Sequence, residues 1–148
     1  MEAELKRIAV RALDMRLKPR RVDPSTIQVD FDAALARTVV DYLRTPSRIV
    51  WDLACFSANR LEPLFDEMMA WLADAEAPWL ATGLALSVVV GDVDALGAGP
   101  LQVRGTVKNA LIEGSAARGR PLKFDPEDPA LIFRARMTDG GLMLSLDL

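Results

Sequence analysis

Four cations stand where a binding surface would place them. Arg104 and Lys108 take polar positions in a stretch where Leu101, Val103, Gly105 and Val107 alternate with Gln102, Arg104, Thr106 and Lys108. Arg134 and Arg136 do the same against Leu131, Phe133, Ala135 and Met137. Successive side chains of a strand point to opposite faces. If the two stretches are neighbouring strands, all four cations share one sheet face, a pattern suited to phosphate or to an acidic partner. Arg118 and Arg120, in the intervening segment EGSAARGRP, would extend that grip. Solvation of an exposed sheet face is the plainer account of the same residues. No alternating position of this face carries an aromatic ring, which a single-strand binder would use to stack bases.

Other chemistry is sparse. Cys55 sits among Leu53, Ala54 and Phe56, and the chain has no histidine, so no Cys–His pair can form. A buried core thiol is the expected role. Glu62 with Asp66, Asp92 with Asp94, and Asp125 with Glu127 and Asp128 are spaced as ligands of a hard cation, yet none fits the twelve-residue calcium loop. Solvated helix faces and turns account for them. Dinucleotide, phosphate-loop and nucleophile-elbow fingerprints are absent. No metal, cofactor or catalytic residue is therefore expected. Trp51, Trp71 and Trp79, with Met68 and Met69, would either line a ligand pocket or fill the core, and their spacing favours the core.

These residues need a scaffold, and composition bounds it. A chain of 148 residues is the size of one domain, 1–148, able to close its own core. Apolar residues make up 51%, and with glycine added the share exceeds the roughly 45–50% of ordinary domains. That excess hints at apolar surface kept for a partner. The net charge of −3 is unevenly spread: residues 1–21 hold seven basic and three acidic residues, and 22–99 hold four and twelve. Opposed blocks of this kind are self-complementary, within one molecule or between two. One cysteine rules out an internal disulfide. The first residues are charged throughout, without the apolar run of a secretory leader. The longest apolar run, Trp79–Val90, is shorter than the roughly 20 residues of a spanning helix. No membrane insertion and a cytoplasmic location are expected.

Periodicity supplies the elements. Leu5, Ile8, Ala9, Ala12 and Leu13 form the stripe of an amphipathic helix over Glu2–Met15, leading into the basic cluster Arg16, Lys18, Arg20 and Arg21. Ser25–Phe31 alternates as a short strand, and Asp32 caps a helix to Arg44. From Ser47 to Leu72 the apolar spacing is helical, with a kink or fresh start at Glu62–Pro63. The first part of that stretch also fits a strand, through Ile49, Trp51, Leu53 and Cys55. Trp79–Val90 is expected to be a central strand, Leu101–Ile112 another, and Glu113–Pro121 a flexible loop. Leu131–Met137 and Leu142–Leu148 complete a hairpin around Asp139-Gly140-Gly141.

Helices first and strands later imply an α+β fold: an antiparallel sheet of about four or five strands, mostly from the C-terminal half, covered on one face by N-terminal helices. The leading functional expectation is a non-catalytic protein-binding or assembly subunit of a homo- or hetero-oligomeric complex. It rests on the apolar excess, the opposed charge blocks, and Leu142–Leu148 as an open sheet edge that invites pairing with a protein partner or a second copy. The alternatives are an accessory nucleic-acid binder using the basic face and basic N-terminal segment, and a small-molecule-binding protein or carboxylate enzyme.

Overall fold

The computed structural model describes residues 20–21, 27–29 and 48–148. The expected helices Glu2–Met15 and Asp32–Arg44, and most of the strand Ser25–Phe31, lie outside them. The chain divides into two compact units, Met1–Ile49 with Leu148, and Val50–Asp147. In the first, β1 (Arg20–Arg21) pairs antiparallel with β2 (Ile27–Gln28) in a two-stranded sheet of its own. Of the expected strand at 25–31, the described part Ile27–Gln28 is β2 of this small sheet.

The second unit runs β3 (Val50–Phe56), α1 (Leu61–Asp74), β4 (Ala85–Val90), a 3-10 turn at Asp94–Leu96, α2 (Pro100–Ala117), β5 (Lys123–Phe124), β6 (Leu131–Thr138) and β7 (Gly141–Asp147). Its five strands are ordered β3-β7-β6-β4-β5. β7 is antiparallel to both β3 and β6, whereas β4 is parallel to β5 and to β6. The sheet is thus mixed rather than antiparallel, and the reason is α2. A helix between two strands carries the chain back to its starting end, so the strand that follows runs parallel to the one before.

That helix is the main departure from the sequence reading. Leu101–Ile112 satisfies strand alternation, but Val103, Val107, Ala110, Leu111 and Gly114 also stand at helical spacing, and all five are buried. Pro100 takes the first helical position, where its missing N–H costs nothing. The Gly99 N–H donates to Gln102 Oε1 at 3.0 Å, which closes the N-terminus. The helix continues through most of the segment expected as a flexible loop.

Before α1, the alternative reading prevails and β3 is a strand. The helix makes its fresh start at Leu61, with Pro63 still in the first turn, where proline is tolerated. Leu64, Met68 and Leu72 of α1 and Val103, Val107 and Leu111 of α2 join Leu86, Val88, Phe133, Leu142, Leu144 and Leu146 in one buried cluster. Gly114 lets the helices approach: a Cβ there would meet Leu72 Cβ at 3.1 Å. The rings of Phe56, Trp71, Trp79 and Phe133 follow one another at centroid distances of 5.8, 6.4 and 5.2 Å, so Trp71 and Trp79 belong to the core. The helices of this unit interleave with its strands instead of preceding them.

The end of α1 is closed by a cation. Arg118 Nη1 donates to the carbonyls of Leu72 at 2.8 Å and Ala75 at 2.7 Å, acceptors that a helix C-terminus leaves without intrahelical partners. Arg118→Ala is expected to destabilise the chain by about 1.5–3 kcal/mol, the range for hydrogen bonds to a charged group. A lowered unfolding midpoint in urea or heat, restored by Arg118→Lys only in part, would mark this role. Among the described residues no helix is long and apolar enough to cross a membrane.

Candidate functional site

The six cations singled out in the sequence do not form one surface. Arg134 and Arg136 point from β6 to the face opposite the buried Phe133 and Ala135. There Arg134 Nε and Nη2 each lie 2.8 Å from Asp147 Oδ2, so its charge is already paired. Arg136 Nη2 stands 4.0 Å from Asp52 Oδ1, which also accepts the Ser145 hydroxyl at 2.6 Å. Arg118 closes α1, and Arg120 Nη1 donates to the Leu80 carbonyl at 3.3 Å. These last two hold the 72–80 segment against the end of α2.

Arg104 and Lys108 are different. One turn apart on α2, they both lie over Phe124 of the edge strand β5, with the Arg104 guanidinium carbon 5.7 Å and Lys108 Nζ 5.3 Å from the ring centroid. Both distances fall within cation–π range. Phe124 is opposite Leu86 in register, on the core-side face at the margin of the sheet, and keeps 38% of its surface open. An exposed ring beneath two cations can stack a flat base while the cations take the flanking phosphates. This is the aromatic missing from the expected strand face. Nothing in the local sequence marks Phe124, since only the helical form of 101–112 brings Arg104 and Lys108 to it.

Beside the ring runs a cleft of about 360 Å³, lined by Ser87, Val88, Val89, Val90, Pro100, Leu101, Arg104 and Pro126. Pairing of β4 with β5 ends at Leu86, whose carbonyl accepts the Asp125 N–H at 3.0 Å. The Asp125 side chain is turned to its own loop, accepting the Glu127 and Asp128 N–H groups at 3.1 and 3.2 Å. Among the described residues no three His, Cys, Asp or Glu side chains gather as a metal site would need.

Cys55 is exposed, contrary to the core role expected of it, with Sγ 3.9 Å from Thr138 Oγ1. The cause is a bulge in β3 between Asp52 and Ala54. Trp51 is inward before the bulge and Ala54 and Phe56 after it, so Cys55 falls on the outer face.

No family model matches the chain, and no curated protein matches it in sequence. Solved structures do share its fold. A predicted N6-adenine-specific DNA methylase from Listeria monocytogenes superposes with a TM-score of 0.67 at 18% identity, over 98% of this chain and 36% of its own. A putative methyltransferase complexed with SAH gives 0.67 at 17% identity, over 97% of this chain and 38% of its own. A 4-thiouridine synthetase in complex with RNA and bound ATP gives 0.51 at 14%, over 99% and 36%. The chain therefore spans little more than a third of each of these proteins. They overturn the reading of the chain as a non-catalytic protein-binding or assembly subunit, because the fold recurs in a predicted DNA methylase, a putative methyltransferase and a 4-thiouridine synthetase. The sheet also removes one of that reading's three premises, the open edge, since residues 142–147 belong to β7, paired on both sides.

Proposed function

We propose that this chain is the RNA-recognising part of a base-modifying enzyme, gripping its substrate through Arg104, Lys108 and Phe124 while a separate catalytic part does the chemistry. The observation that carries this reading is the half-open Phe124 ring beneath two cations. The comparisons support it from another side. A fold shared by a methyltransferase complexed with SAH and a synthetase complexed with ATP serves neither cofactor in common. A nucleic acid is named for two of the three, a DNA methylase and a synthetase solved with RNA.

Binding of a labelled RNA to the full chain, followed by fluorescence anisotropy, tests the proposal. The expected signature is affinity that falls with salt, at a log–log slope of about −0.7 for each phosphate neutralised on a single strand. Arg104→Ala with Lys108→Ala should weaken binding about tenfold or more and flatten that slope by roughly 1.4. Arg134→Ala, which removes a cation already paired, should leave affinity within about twofold. Absence of binding at low salt, or an unchanged slope in the double variant, would overturn the reading.

A further inference from the structure

We infer that the cleft beside β4 accepts one unpaired base of the bound RNA and reads it through the main chain of Val90. The inference rests on the RNA-binding reading and assigns that site a substrate class, single-stranded rather than duplex RNA. Strand hydrogen bonding alternates from side to side along β4. Leu84 and Leu86 turn their carbonyls to β5, accepting from Lys123 and Asp125, while Ala85 accepts from Ala130 on the β6 side. By the same alternation the N–H and C=O groups of Val90, which unlike Val88 is partly exposed, face the β5 side, where pairing has already ended and no strand among the described residues takes them up. One edge residue thus offers a donor and an acceptor side by side, the complement of the donor–acceptor pair on the Watson–Crick edge of a base.

The walls suit the same guest. Val89 is 42% exposed and Leu101 80% exposed, and with Pro100 and Pro126 they make an apolar slot for a flat ring. Its volume lies near the lower end of small-molecule sites, roughly 300–1,000 Å³. Arg104 belongs both to this slot and to the Phe124 platform, so one phosphate held there would join a base in the slot to a base on the ring. Charge complementarity between Arg104, Lys108 and the phosphate backbone selects a nucleic-acid strand as the occupant over a neutral peptide. Duplex RNA cannot supply it, because its Watson–Crick edges are already used.

The test compares a labelled mixed-sequence RNA of about ten nucleotides with the same strand annealed to its complement, using the full chain and the variant Leu101→Ala. A site that held phosphates alone would prefer the duplex, whose charge is denser. The slot predicts the opposite, with the single strand bound about tenfold more tightly. Leu101→Ala should weaken single-strand binding about three- to tenfold and leave the salt slope unchanged, because it removes an apolar wall and no cation. Equal or tighter duplex binding, with Arg104 and Lys108 still required, would overturn the slot while leaving the RNA reading intact. Full single-strand affinity in Leu101→Ala would also overturn it. Loss of all RNA binding at low salt would overturn both.

Discussion

Gly141→Ala is expected to destabilise the chain by about 4 kcal/mol or more, combining backbone strain with steric overlap. Gly141 opens β7 at φ +124°, a conformation that side chains rarely adopt. A Cβ there would overlap the Phe56 carbonyl oxygen and lie 2.8 Å from its carbonyl carbon and 3.1 Å from Ser57 Cα. All three are backbone atoms of the neighbouring strand region, so no rotamer change relieves the clash. The adjacent Gly140 is the internal control. A Cβ on it meets nothing closer than Cys55 Sγ at 3.5 Å, and Gly140→Ala should shift stability by less than about 1 kcal/mol. Urea denaturation of both variants measures the difference, and coincident midpoints would show that β3 and β7 do not approach as described.

Phe133→Ala should destabilise by about 3–5 kcal/mol, the range for emptying an aromatic site in a close-packed core. Phe133 is fully buried and lies in register between Val88 and Leu146 across three strands. It also meets Trp79 edge to face at 5.2 Å. Three strands and the aromatic series therefore lose a shared contact at once, leaving a cavity that rigid strands cannot collapse. Phe133→Leu keeps much of the volume and should be milder, at about 1.5 kcal/mol or less. Denaturant midpoints rank the two variants, and equal losses would argue against a packed ring at this position.

The C-terminal hairpin was legible because its residues obey one period only. Phe133, Ala135, Leu142, Leu144 and Leu146 alternate strictly and are buried, as their parity requires. Leu101–Ile112 obeyed two periods at once, and parity read on a strand gave the right burial for Val103 and Val107 for the wrong reason. The decision lay further on, at Ala110, Leu111 and Gly114, where only a helix buries all three, and in Gly99-Pro100 as a helix start. In β3 a single bulge exchanged the faces of the residues after it, which no periodic count detects. The pairing of Arg104 and Lys108 with Phe124 depends on β5 docking at the sheet margin, a long-range event with no local signature.

The place of β7 also dictates the order in which this sheet can be completed. Val50, which begins the unit, is in register with Asp147, which closes it, and among the described residues β3 has no other neighbour in the sheet. On an elongating nascent chain β3 waits, its ladder groups uncommitted, until the rest of the Val50–Asp147 unit has been made. Such non-local closure slows assembly. It also makes the interval before β7 arrives the time when this polypeptide most needs shielding by chaperones from pairing with the wrong strand.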